Sequence, residues 1–133
     1  MTNVMEEFGK NAGEIWRTLN TLGPLTETRL KGTTQMHDDA FYSAVGWLAR
    51  ENKICKDGPI YKLGESNLTG KIGIDAGKIW KELETRGTID VSDVSTVLRM
   101  DEREVYAALG WLVRENKVDA KPVTIPHEYQ PRK

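Results

Sequence analysis

The amino-acid sequence predicts a mainly α fold with small β-hairpins (α+β), built twice in tandem. Three observations carry that reading. Residues 11–54 match residues 75–118 at a constant offset of 64 without a gap, with 17 identities in 44 positions. Within each copy the apolar residues recur first with helical spacing and then with the alternation of strands. The composition is that of a soluble globular chain, at 38% hydrophobic and 29% charged residues. At 133 residues the chain is one ordinary domain or two very small ones. The repeat decides for two, expected at residues 1–66 and 67–133. The period is too long for a solenoid, and a copy of roughly 60 residues is marginal alone. The four Trp are thus two positions used twice, Trp16 with Trp80 and Trp47 with Trp111.

The first helix of each copy is expected over about 11–22 and 75–86. Asn11 and Asp75 stand at its start as N-caps, and Asn11 with Glu14 has the spacing of a capping box. Ile15, Trp16 and Leu19, repeated as Ile79, Trp80 and Leu83, mark its buried face, and Gly23 or Gly87 ends it. That start leaves a linker at about 64–74, short enough that the copies are expected to pack against each other. A brief extended piece follows the helix, Pro24-Leu25 or Thr88-Ile89. The second helix is expected at about 27–33 and 91–98. The third is expected at about 38–52 and 102–116, with Asp101 and Glu104 as a capping box in the second copy. Phe41, Ala44, Val45 and Leu48 share one face of it, as do Val105, Ala108, Leu109 and Leu112. Lys53–Lys56, an Asp57-Gly58 turn and Pro59–Leu63 then read as a β-hairpin. In the second copy the hairpin is expected from Lys117–Ala120 and Val123–His127 around Lys121-Pro122, with Pro126 restricting the last strand to an edge. Helix, short strand, helix, helix, hairpin is the order of a winged helix-turn-helix domain, so the expected architecture is two tandem winged helix-turn-helix domains.

Each copy also resembles a small winged-helix family of bacteria and archaea catalogued as a domain of unknown function. The likeness rests on Asn11–Trp16 with Gly46–Ile54, and on Asp75–Trp80 with Gly110–Val118, and covers nearly the whole chain. It implies the fold and carries no established activity.

Enzymatic chemistry finds little support. His37 and His127 occupy non-equivalent positions, and neither has a neighbour at metal-ligand spacing. Cys55 stands alone in a predicted strand, the setting of a structural thiol, and fits a reducing compartment. No phosphate loop and no nucleophile elbow is present. The reading is a non-enzymatic cytoplasmic protein with no cofactor, no metal, no small-molecule substrate and no membrane association.

The fold class suggests duplex DNA, with the third helix in the major groove. The charge pattern opposes that. The third helices begin with Asp38 and Asp39 or with Asp101, Glu102 and Glu104, which suit the helix dipole and repel phosphate. Their outward stripes are Ser43, Gly46 and Arg50, and Ala107, Gly110 and Arg114. The net charge is -1, and neither half is basic, so any DNA affinity is expected to be weak and salt-sensitive. The leading expectation is nevertheless a DNA-binding or transcription-associated protein that contacts phosphates mainly through its wings, and the candidate contacts are the wing residues Lys53, Lys56, Lys62, Lys117 and Lys121 together with Arg50 and Arg114. A simpler role for the two arginines is a salt bridge to Glu51 or Glu115 of the other copy. The competing class is a protein-interaction adaptor or homodimer, with Val123–Tyr129 apolar enough to add a strand to a neighbour. Trp16, Trp47, Trp80 and Trp111 are read as core. Gly46 and Gly110 each cost a helix about 1 kcal/mol relative to alanine. The expected reason is that the first helix of the same copy, through Trp16 or Trp80, packs over them.

Overall fold

The computed structural model describes residues 4–120 and 128–132. In chain order it contains α1 (Val4–Leu22), β1 (Leu25–Thr26), α2 (Glu27–Thr34), α3 (Asp38–Arg50), β2 (Ile54–Asp57) and β3 (Ile60–Leu63). The same series then returns as α4 (Thr69–Arg86), β4 (Ile89–Asp90), α5 (Val91–Leu98), α6 (Glu102–Arg114), β5 (Val118–Ala120) and β6 (Glu128–Pro131). Each half carries a three-stranded antiparallel sheet, β1-β3-β2 and β4-β6-β5. Two winged helix-turn-helix domains are therefore present.

Local chemistry explains most boundaries. Thr26 and Asp90 cap α2 and α5 by accepting from the amides of Arg29 and Asp93. Asp101 and Glu104 make the expected capping box on α6. The first hairpin pairs Asp57 with Ile60, so its turn is Gly58-Pro59, one residue later than expected. In the second wing the returning strand is β6, with Tyr129 paired to Ile89 and Ala120. That strand is central in its sheet and Tyr129 is buried, so Tyr129 has no free edge to offer a neighbour. The expected strand at Val123–His127, the turn at Lys121-Pro122 and Pro126 lie outside the described residues.

The largest departure is at the start of each repeat. α1 begins at Val4 and α4 at Thr69, so Asn11 and Asp75 are interior helix positions and not caps. The linker shrinks to Gly64–Leu68. The extra turns are kept by packing across the copies. Val4 and Phe8 enter the core of the second copy, beside Ile79, Leu83 and Leu109. Their repeat equivalents Leu68 and Ile72 reach the core of the first copy, with Ile15, Leu30 and Phe41. Each core is completed by the opening of the other copy's first helix.

The two copies meet through α3 and α6, which cross at glycine. A Cβ at Gly46 would fall 1.8 Å from the Ala107 carbonyl oxygen, and one at Gly110 would fall 1.9 Å from the Ser43 carbonyl oxygen. Ser43 and Ala107 are equivalent in the repeat, as are Gly46 and Gly110, so the contact is reciprocal, as in a twofold dimer interface. This corrects the expected reason for the glycines. The backbone that approaches them belongs to the third helix of the other copy, and neither Trp16 nor Trp80 covers them. The Ser43 hydroxyl is buried there without a hydrogen-bond partner.

Candidate functional site

The outward stripe of a winged helix is the surface that enters a DNA groove. Here Ser43, Gly46 and Arg50 face Ala107, Gly110 and Arg114. Eight of the 13 residues of α3 are buried, Phe41 through Gly46 together with Leu48 and Ala49. One side of each helix belongs to its own core and the other to its counterpart.

The arginines at the ends of these stripes cross between copies. Arg50 Nε donates to Glu115 Oε2 at 3.1 Å, and Arg114 Nε donates to Glu51 Oε2 at 3.1 Å. Each guanidinium also lies over a tryptophan of the opposite copy, Arg50 over Trp111 at 5.6 Å and Arg114 over Trp47 at 5.5 Å. The wing lysines are engaged as well. Lys53 lies 3.7 Å from Glu51, Lys62 3.9 Å from Asp57, and Lys117 3.6 Å from Glu115. Lys56 covers the Tyr61 ring and Lys117 the Trp80 ring. Lys121 lies outside the described residues. The structure therefore brings Arg50, Arg114, Lys53 and Lys117 together around two carboxylates and leaves Lys56 and Lys62 apart on the first wing.

These residues also edge two equivalent clefts, one between the first and third helices of each copy. The first, of about 540 Å³, has Gly9, Ala12 and Gly13 as its floor, Trp16 and Trp47 as its walls, and Arg17, Glu51 and Lys53 at its mouth. The second repeats the arrangement with Gly73, Ala76, Gly77, Trp80, Trp111, Glu115 and Lys117 but holds only about 240 Å³. Gly9 and Gly73 admit the Trp47 and Trp111 rings, which would lie 3.2 and 3.4 Å from a Cβ. Trp47, Trp80 and Trp111 are half-buried against the cores. Trp16 belongs to neither core and is 37% exposed, because its neighbour Ile15 takes the inward face of α1. Its expected core role does not describe its surroundings.

A polar cluster built on Glu27 lies on one side of the junction. Glu27 accepts hydrogen bonds from Tyr42 (2.7 Å) and Tyr61 (3.0 Å). Burial, reinforced by Glu27, pushes the Tyr42 phenol up to about 12 and raises Tyr61 further. Facing them from the second copy, Arg103 chelates Asp101 and holds that carboxyl down to about 2. Lys71 bridges buried Asp75 at 2.7 Å and Glu104 at 2.5 Å, which lowers the Glu104 carboxyl. The equivalent of Glu27 in the other copy is Val91, so the duplication has diverged here. Sequence reasoning missed this cluster and the clefts. The repeated Gly13 and Gly77 inside the tryptophan motifs were the available signal. Among the described residues no group of three or more His, Cys, Asp or Glu is placed to hold a metal ion. No helix among them is long and apolar enough to cross a membrane.

Fold and junction together define a fused pair of winged-helix modules joined through their third helices. A family model described as a winged helix-turn-helix domain (DUF2582) matches the chain twice, over residues 1–61 and 67–123, and the chain belongs to that family. It is a tandem duplication of a small domain of unknown function. No curated protein and no solved structure matches it. Winged helix-turn-helix domains are typically non-enzymatic, and the fold supports a DNA-binding or regulatory role.

Proposed function

We propose that this protein is a non-enzymatic, cytoplasmic regulatory adaptor that binds a protein partner and does not read the major groove. The observation that carries the reading is the junction of α3 with α6. The stripes that would contact bases are packed on each other, with backbone in contact at Gly46 and Gly110. Freeing them would also open the Arg50–Glu115 and Arg114–Glu51 pairs. The repeats, taken as residues 1–66 and 67–133, then work as one unit, since each core contains side chains of the other.

A second reading is favoured by one feature. Lys53 and Lys62 stand on or beside the first wing with side chains about half exposed, at 51% and 45%. Phosphate contact through that wing needs no recognition helix. Titration with labelled duplex DNA at about 50 mM and about 200 mM salt separates the two, because phosphate contacts produce a steep loss of affinity over that range. The adaptor reading expects no binding at the lower salt. Salt-sensitive binding abolished by Lys53→Glu with Lys62→Glu would replace it with the wing reading.

A further inference from the structure

The two clefts have the same lining but are not in the same state. In the second, the Lys117 ammonium lies 5.7 Å from the Trp80 ring centroid and takes up part of the space over the ring. Both lysines also pair with the carboxylate beside them, Lys53 with Glu51 at 3.7 Å and Lys117 with Glu115 at 3.6 Å, but in the first cleft Trp16 stays exposed and the volume is more than twice as large.

The floor carries a second observation. Gly13 and Gly77 are interior helix residues, each costing about 1 kcal/mol relative to alanine. Among the described residues nothing lies within 4 Å of a Cβ at Gly77, and at Gly13 only the flexible guanidinium of Arg17 does. Among the described residues no close packing calls for glycine at either place. At Gly13 the bare backbone instead lets an incoming group lie against α1 between two indole rings.

The mouth of the open cleft supplies the charge. Its one carboxylate, Glu51, faces both Lys53 and Arg114. Arg17 adds a third cation and has no ion-pair partner among the described residues. The net balance is positive around an apolar, aromatic interior. We propose that the Trp16–Trp47 cleft docks an acidic segment of a partner protein. That segment inserts one aromatic or long aliphatic side chain over Gly13 and sets carboxylates against Arg17 and Lys53. The proposal rests on the adaptor reading and names its site and its ligand chemistry. A nucleic-acid strand is the less suitable occupant, because it brings a phosphate at every nucleotide and a chain of net charge -1 supplies no general attraction for so many.

The test is selection of a displayed library of random twelve-residue peptides on the immobilised full chain, followed by affinity measurement with purified variants. Enriched peptides are expected to carry Phe, Trp or Leu among Asp and Glu. Gly13→Leu, which fills the cleft with a better helix former, and Arg17→Glu are each expected to weaken binding at least about tenfold. Gly77→Leu in the smaller cleft is expected to change it less than about twofold. Circular dichroism and the melting temperature verify folding, and Arg17→Glu keeps the test decisive if Gly13→Leu misfolds. Acidic peptides that bind but ignore both cleft variants overturn the cleft and leave the adaptor reading standing. No enrichment, or enrichment of basic peptides, overturns the cleft proposal, and no enrichment also counts against the adaptor reading. A single-stranded oligothymidylate whose binding is lost in Gly13→Leu, or self-association lost in the same variant, overturns it in favour of that occupant.

Discussion

Replacing Gly46 by alanine adds one methyl group where the structure has no room for it. The new Cβ would stand 1.8 Å from the Ala107 carbonyl oxygen, 2.7 Å from its carbon and 2.9 Å from its Cα. All three are backbone atoms of a helix, so no rotamer change relieves the clash. An ordinary carbon–oxygen contact is about 3.3 Å, close to the C···O distances seen in packed backbones, so α3 and α6 must separate by roughly 1.5 Å. A gap of that size is too narrow for water and forfeits much of the dispersion attraction along the crossing. Overpacking of this kind costs up to about 3 kcal/mol or more, offset by about 1 kcal/mol from the better helix propensity of alanine. At the upper end of that range the net loss is about 2 kcal/mol, a large part of the stability of a chain this size. Taking roughly 3–5 °C per kcal/mol for a domain of intermediate length, the melting temperature should fall by about 6–10 °C. Gly110→Ala should behave alike, and the double variant should lose less than the sum because one separation relieves both clashes. Thermal unfolding followed by far-ultraviolet circular dichroism measures all three. A Gly46→Ala protein that melts at or above the parent temperature would refute the close-contact argument.

Gly13→Ala and Gly77→Ala meet no rigid obstacle and should instead raise stability, by up to about 1 kcal/mol each, in the same melting assay. Phe8→Ala removes a side chain from the core of the other copy. It should cost about 3–5 kcal/mol, and urea unfolding should remain one transition, since neither core survives without the other. Ser43→Ala removes a buried hydroxyl that has no partner and should leave stability unchanged or raise it, measured by urea denaturation. Tyr42 has a folded pKa raised to about 12, by burial first and then by Glu27. Its contribution to stability is complete below the unfolded value of about 10 and is lost as pH rises from there through about 12. Phenolate absorbance against pH should show that late titration, and Glu27→Gln should move it downward.

Within each copy, the apolar spacing, the terminal glycines and the Asp-Gly sequence were sufficient to place the helices and the first wing. Those features act over a few residues, and the physics that reads them is local. The capping box of Asp101 and Glu104 was legible for the same reason. The start of α1 was not. Asn11 has the chemistry of a cap, and Val4 and Phe8 show no partner within their own copy. The helix continues because those side chains find a core 64 residues away in the repeat. The returning strand Glu128–Pro131 of the second wing was not legible, because the pairing of Tyr129 with Ile89 is tertiary.

The stripes of the third helices show the same division. Composition established that they are poor surfaces for phosphate, with Asp38, Asp39, Asp101 and Glu104 at their starts. Even the Arg50–Glu115 and Arg114–Glu51 pairs were foreseeable as cross-copy bridges. The role of the glycines was not, because a glycine in a helix records only that something comes close. In this protein the sequence alone determined a winged-helix unit used twice, its internal core and its near-neutral charge. Tertiary structure decided that the two units share cores, that the helices expected at DNA face each other, and that one of two equivalent tryptophan clefts is more than twice as large as the other. Helix and turn formation depends on neighbours in the chain, whereas these outcomes depend on which surfaces meet after the chain has folded.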